Sequence, residues 1–213
     1  MAALSGKEIT KRLTAIELDK RLVIGPLLEP AEQLREDQAS IDIRLGFEFA
    51  LVSPSSYGVI DEFVEVTDAL TLPPLQSLYS KKYIPLGGKI VIHPHQFILA
   101  STLEYMRLPK DLMAYVIGRS TWGRLGLIVA TAVGVQPGYA GSLTLELRNL
   151  GETPLTLYPG EAIAQLFFHS VDGVDLNAQA PGQYSGITDI LPREMSSGQT
   201  HKKIRLLKEK LRH

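Results

Sequence analysis

Two arginines, Arg119 and Arg124, bracket Ser120, Thr121, Trp122 and Gly123 in the run Gly118-Arg119-Ser120-Thr121-Trp122-Gly123-Arg124-Leu125-Gly126. Hydroxyls, backbone N–H groups and guanidinium forks are the donors a polyphosphate requires, because it presents many acceptor oxygens and dense negative charge. The run is not a Walker loop, since the G-x-x-x-x-G-K-[ST] spacing is absent. Alone, it reads either as a phosphate cradle or as a surface turn with solvated arginines. A second segment runs from Val135 through Gln136, Pro137, Gly138 and Tyr139 to Leu147. Pro-Gly makes a sharp turn into a strand. On that strand Leu143, Leu145 and Leu147 face one way, so Thr144, Glu146 and Arg148 face the other. Glu146 is then either a working carboxylate or an exposed partner of a cross-strand cation, and Tyr139 either a ligand contact or a packed turn aromatic.

The elements that must position these residues are mostly strands. Ser5-Gly6-Lys7-Glu8 has capping-box spacing, and Ile9, Leu13 and Ile16 follow at helical spacing, which predicts a short N-terminal helix. Arg21 to Leu28 reads as a strand turning at Pro26, and Ala39 to Ala50 alternates apolar and polar. From there to about Gly88 the chain is loop-rich, with Pro54, Gly58, Pro73, Pro74 and Pro85 as breakers. Beyond Lys89 the β pattern is dense: 89–93, 97–102, 115–118, 142–148, 155–157 and 161–168. Many short strands at regular spacing predict a jelly roll or barrel. After Phe168 the chain turns rich in Gly, Pro, Asn, Gln and Ser. It ends in a basic tail, with Ile204, Leu207 and Leu211 on one possible helical face.

Composition narrows the function classes. A chain of 213 residues can bury a real core. The net charge of −1 gives no electrostatic pointer to nucleic acid or a membrane surface. There is no cysteine, so disulfides, thiolate-ligated zinc and a Cys nucleophile are excluded. The first residues mix Lys7, Glu8, Lys11 and Arg12 among apolar ones, unlike a secretory signal, and no run approaches a membrane helix. A cytoplasmic protein is expected.

Taken in order, the pieces resemble the dCTP deaminase family. They are Leu4-Ser5 to Ile9; Ser40-Ile41-Asp42-Ile43-Arg44-Leu45-Gly46; His93-Pro94 with Phe97 to Ala100; Thr102-Leu103-Glu104-Tyr105; Gly118 to Leu127; Pro137-Gly138-Tyr139-x-Gly141 with Leu145-Glu146; and Pro159-Gly160 with Ile163, Gln165 and Leu166. The resemblance implies a mainly β fold, a distorted jelly roll or dUTPase-like β-clip barrel, with a short N-terminal helix and a C-terminal arm. It implies a β domain over 1–170 and an arm with basic tail over 171–213. The implied reaction is zinc-independent hydrolysis of dCTP to dUTP and ammonia in a homotrimer with active sites between subunits. Mg²⁺ would accompany the triphosphate.

Position by position, Glu146 matches the family's catalytic glutamate. Arg124 and Ser120 match residues that hold the water or base and orient that carboxylate. Arg119, Ser120, Thr121, Trp122 and Gly123 fall in the triphosphate loop. Thr144 and Leu145 lie where backbone groups read the cytosine edge. Tyr139 matches the aromatic on the deoxyribose, with Gln136 beside it, and Tyr184 lies in the closing arm.

Three departures stand out. Val129-Ala130-Thr131-Ala132 replaces a His-x-Thr-Ala segment, Gln136 replaces an Asp, and the arm reads Gln183-Tyr184-Ser185 where relatives have Lys-Tyr followed by Gln. Two alternatives therefore accompany the deaminase reading: a bifunctional enzyme continuing to dUMP and pyrophosphate, or a non-catalytic deoxynucleotide-binding homologue. Elsewhere, Asp42 and Arg44 read as a structural ion pair. His93 and His95 read as a turn beside Pro94 or as two metal ligands lacking a third. Trp122 reads as a stacking platform or a subunit contact.

Overall fold

The computed structural model of the protein describes residues 3–52, 75–172, 189–191 and 210. Tyr184, the Gln183-Tyr184-Ser185 arm, the apolar positions of the tail and most of the Pro- and Gly-interrupted segment after Val52 lie outside the described residues. The chain divides into two compact units, Met1–Ala50 with Lys81–Ile190, and Leu51–Ser80 with Leu191–His213. The second contains a 3-10 turn at Leu75–Leu78. The site lies in the first.

The elements are α1 (Gly6–Leu13), β1 (Val23–Gly25), α2 (Pro30–Gln33), β2 (Ile41–Val52), β3 (Tyr79–Tyr83), β4 (Ile90–Ile92), β5 (Phe97–Arg107) and β6 (Leu112–Gly118). There follow α3 (Ser120–Arg124), β7 (Leu127–Val129), β8 (Gly134–Val135), β9 (Ala140–Asn149), β10 (Leu155–Leu157) and β11 (Ala162–Ser170). The long sheet runs β7-β9-β5-β2-β11-β6-β8, with β1 added to β5 and β3 to β2, while β10 pairs with β4 separately. It curls into a half-barrel, as the strand pattern of the sequence leads one to expect. Among the described residues no helix is long and apolar enough to cross a membrane.

Alternation places the core. Ile41, Ile43 and Leu45 of β2 are fully buried, as are Leu145 and Leu147 of β9 and Leu166 and Phe168 of β11. Each set repeats every second residue, so one sheet face packs inward while the other stays partly wet. At the N-terminus, Ser5 caps α1 by accepting from Glu8 N at 3.3 Å. The reciprocal half of the expected box does not form, because the Glu8 carboxylate pairs with Lys11 instead.

β5 departs from simple alternation. It advances from Ser101 to Tyr105 while β9 moves only from Thr144 to Ser142, which is a β-bulge. Within it, Thr102 Oγ1 donates to Glu104 O and accepts from Leu143 N, both at 2.9 Å. Glu104 is thereby turned inward and fully buried. Its carboxylate accepts from Gln33 Nε2 at 3.0 Å and from the Arg44 backbone N–H at 2.8 Å. Burial pushes the Glu104 carboxyl above its ordinary range, and the hydrogen bond from the Arg44 peptide opposes that shift.

The loop that holds Arg119 and Arg124 is clamped at both ends. Arg119 N donates to Ile163 O at 3.1 Å, and Leu150 N donates to Gly126 O at 2.8 Å. Gly126 makes the exit possible, with φ of 93° and its backbone pressed against Gly151. A Cβ there would meet the Gly151 nitrogen at 2.7 Å. Gly126→Ala combines a left-handed backbone with a backbone clash and is expected to cost at least about 2 kcal/mol. Urea unfolding checks this, and a loss below about 0.5 kcal/mol, the usual size for a neutral surface change, would contradict it.

Candidate active site

The turn Gln136-Pro137-Gly138-Tyr139 closes with Tyr139 N donating to Gln136 O at 3.1 Å, and Gly138 has φ of 77°. Pro at the second position and a positive-φ Gly at the third are the requirements of a type II turn. The turn is tied down by Leu108 N donating to Tyr139 O at 2.9 Å. The Tyr139 hydroxyl donates to Ser142 O at 2.8 Å. Burial, with Tyr105 adding to it, pushes that hydroxyl up to about 12, so it remains a neutral donor. Gln136 is exposed at the turn's start.

β9 leaves the turn with its expected alternation: Leu143, Leu145 and Leu147 are buried, and Thr144 and Glu146 are half-buried on the opposite face. The Glu146 side chain makes no hydrogen bond or ion pair among the described residues. Its peptide is held firmly. Glu146 N donates to Thr131 Oγ1 at 2.8 Å, and Glu146 O accepts from Ala130 N at 2.7 Å. Burial raises the Glu146 carboxyl above its ordinary range. A carboxyl so placed sits closer to the pH at which it can both take and return a proton. The two-residue repeat puts the peptide groups of Thr144 on the same strand edge as those of Glu146. Leu145 is fully buried and stands opposite Ala100 of β5, so the same repeat turns its peptide to the other edge.

Ser120–Arg124 forms α3, a five-residue helix with Arg119 as its N-cap. Ser120, Thr121, Gly123 and Arg124 are exposed. Arg124 makes no hydrogen bond or ion pair among the described residues. Arg119 pairs with Asp42, and the Trp122 indole N–H donates to Ala162 O at 3.1 Å. Beside this helix lies a cleft of about 400 Å³ lined by Glu29, Gln33, Asp42, Arg44, Arg119 and Trp122, among others. Glu146, Thr144 and Tyr139 do not line it.

The sequence-expected residues therefore form two groups. Gln136, Tyr139, Thr144, Leu145 and Glu146 gather on β9 and its turn; Arg119 to Arg124 gather on α3. No hydrogen bond or ion pair among the described residues joins Glu146 to α3. Tyr184 lies outside the described residues. Asp42 and Arg44 each take the expected structural ion-pair role, but not with each other. Arg44 pairs with Glu29 at 2.9 Å, and Asp42 pairs with Arg119. The two residues lie two apart on one strand face, and each finds a partner on a different element. His93 and His95 form a turn, with His93 N donating to Gln96 Oε1 at 2.9 Å and His95 at φ of 63°. Among the described residues no group of three His, Cys, Asp or Glu stands together as metal ligands. Sequence reasoning missed Thr131 as the cap of the Glu146 peptide. Its only signal was that Thr131 and Ala132 keep the Thr-Ala of the His-x-Thr-Ala segment whose His is replaced by Val129.

A family model described as dCTP deaminase-like matches residues 3–171. The chain is 38% identical over 174 residues to a dCTP deaminase of Natronomonas pharaonis, covering 78% of this chain and 78% of that one. It is 37% identical over 172 residues to a dUMP-forming dCTP deaminase of Methanobrevibacter smithii, covering 80% of this chain and 81% of that one. Among solved structures, a 2′-deoxycytidine 5′-triphosphate deaminase from Agrobacterium tumefaciens matches with a TM-score of 0.56 at 21% identity. That match covers 78% of this chain and 47% of the other, so the chain spans about half of that solved chain, and the likeness is one of fold.

Proposed function

The chain belongs to the dCTP deaminase-like family, and from that premise we propose that it hydrolyses dCTP to dUTP and ammonia, with Glu146 moving the protons. The observation that carries this reading is Glu146 itself. It is a half-buried carboxylate on the polar face of β9, raised by burial, with its peptide fixed by Thr131 and Ala130.

The chemistry follows from that carboxylate. Water attacks C4 of the cytosine ring while Glu146 takes one of its protons and passes it to the ring nitrogen N3. The new C4 hydroxyl then gives up its proton, through Glu146, to the exocyclic amine. The C4–N4 bond breaks, ammonia leaves and the C4 carbonyl remains. One water is consumed and no redox partner is needed. A carboxyl raised towards neutrality suits a group that must both accept and return a proton.

The remaining roles follow the same division. The Thr144 peptide reads the cytosine edge, since it lies on the same strand edge as Glu146, and Leu145 between them anchors the strand in the core. Tyr139 and Gln136 take the deoxyribose. Arg119, Ser120, Thr121 and the Gly123 peptide take the triphosphate, and Arg119, Thr121 and Trp122 line the cleft beside α3. Mg²⁺ enters as part of the substrate, held by phosphate oxygens and water. Arg124 and Ser120 place the water and orient the Glu146 carboxylate. No hydrogen bond or ion pair among the described residues joins them to Glu146 within one chain, and we assign them to a second copy, in a trimer with threefold symmetry. Gln136 can bond a sugar hydroxyl but has no carboxylate to act as a base. The reaction therefore stops at dUTP, although one of the relatives above is named as dUMP-forming.

Incubation with dCTP and Mg²⁺ is expected to release ammonia and dUTP in equal amounts, with negligible dUMP and pyrophosphate. Glu146→Gln should retain nucleotide binding and lose ammonia release by a factor of about 10²–10⁴ or more. Near-normal ammonia from that variant would sink the assignment, and dUMP formation dependent on Glu146 would make the enzyme bifunctional.

The pH profile is a separate check. Glu146 must be ionised to accept the water's proton. Protonation below its folded pKa removes the base, so kcat/KM falls on the acid side. Because burial raises that pKa above the ordinary 4.5, the acid limb should have its midpoint above 4.5. A profile that stays flat down to 4.5 would remove Glu146 from this role.

A further inference from the structure

The register of three strands builds a row that ends at Arg119. Gln165 on β11 stands opposite Asp42 on β2 and opposite Ile117 on β6. Arg119 follows Ile117 by two residues and is still extended, with φ of −70° and ψ of 136°. The two-residue repeat of a strand therefore puts Arg119 on the same face as Ile117, above the Gln165–Asp42 pair.

Asp42 is held at both carboxylate oxygens and at its backbone carbonyl. Its Oδ1 accepts from Gln165 Nε2 at 2.8 Å, and its Oδ2 accepts from Arg119 Nη1. Its backbone carbonyl accepts from Gln33 Nε2 at 3.1 Å, and the same amide reaches the buried Glu104 at 3.0 Å. Both residues line the cleft, the Asp42 side chain at 16% exposed and that of Arg119 at 33%, so the guanidinium is the more accessible partner of the pair. A guanidinium has five N–H donors. One carboxylate oxygen leaves most of them for a ligand.

We infer that Asp42 is a positioning residue for Arg119: braced by Gln165, it aims the guanidinium into the cleft so that the triphosphate meets a donor already in place. The inference rests on the reading that the α3 loop takes the triphosphate. An unbraced arginine would lose rotamer freedom on binding, and bracing removes that loss beforehand. Charge alone argues the opposite way. A carboxylate beside a cation weakens its pull on an anion, so a merely neutralising Asp42 would make dCTP bind more tightly when removed. The sign of the effect separates the two.

The test is a cycle of Asp42→Asn, Arg119→Ala and the double variant. Its readouts are kcat and KM for dCTP and inhibition by deoxycytidine, with thermal unfolding as a fold check. Gln165→Met is added because it releases the brace and keeps both charges. Asp42→Asn is expected to raise KM for dCTP about tenfold, as loss of one well-placed charged contact does. The change in kcat should stay within about threefold and deoxycytidine inhibition should not change. Gln165→Met should raise KM in the same direction. In the Arg119→Ala background, Asp42→Asn should add less than about twofold, because the two act as one unit. Tighter dCTP binding by Asp42→Asn, an undiminished effect without Arg119, or no effect of Gln165→Met would each overturn the inference while leaving the loop's role intact. If Arg119→Ala weakens dCTP and deoxycytidine equally, the triphosphate reading of the loop fails, and the inference fails with it.

Discussion

The hydrogen bonds of the buried Glu104 carboxylate are the constraint on which the rest of the structure depends. Glu104 is thrown inward by the bulge where β5 slips against β9. There it accepts from the Arg44 peptide of β2 and from the Gln33 amide of α2. A buried carboxylate without partners would be strongly unfavourable, and buried donors left without it would be too. The three segments are thus held in one arrangement. That arrangement sets the cleft wall at Gln33 and fixes Asp42, whose carbonyl shares the Gln33 amide. It also sets the register in which β9 carries Thr144 and Glu146 past β5.

Two kinds of positioning emerge from this frame. On β9, position is a matter of strand periodicity: leucines anchor one face in the core, and Glu146 is delivered half-buried on the other. At α3, position is a matter of clamps. Ile163, Leu150 and the Gly126–Gly151 contact hold the short helix, and Asp42 holds its first arginine. The first device gives a carboxylate whose proton affinity is shifted by burial. The second gives hydroxyls and guanidiniums at an exposed rim. Acid–base work needs the former and anion binding needs the latter.

Much of this was legible in the sequence, where the signal was local. The alternation of Leu143, Leu145 and Leu147 placed Glu146 on the polar face, Pro137-Gly138 announced the turn, and Ser5 announced the first helix. The ordered motifs led to the family. What stayed hidden was non-local or too short. Five residues of α3 cannot show helical periodicity, and Gly123 within it argues against a helix. α2 is shorter still. The bulge at Thr102–Glu104 leaves no pattern, because its cause lies on other segments. The likeness of the Asp42–Arg44 strand to its relatives suggested a structural ion-pair role, yet it could not name the partners, Arg119 and Glu29, which come from distant or separate elements.

The central claim is that the carboxylate on β9 and the hydroxyl–arginine helix α3 belong to one active site contributed by two copies of the chain. Mixing two inactive variants tests it most directly. Glu146→Gln and Arg124→Ala are purified separately, combined in equal amounts, exchanged through mild denaturation and assayed for ammonia release from dCTP. With shared sites, random reassembly restores about one quarter of wild-type activity, because that fraction of sites draws an intact Glu146 from one copy and an intact Arg124 from another. Activity no higher than that of the separate variants, after exchange is verified with a tagged subunit, would contradict the account and place the whole site within a single chain.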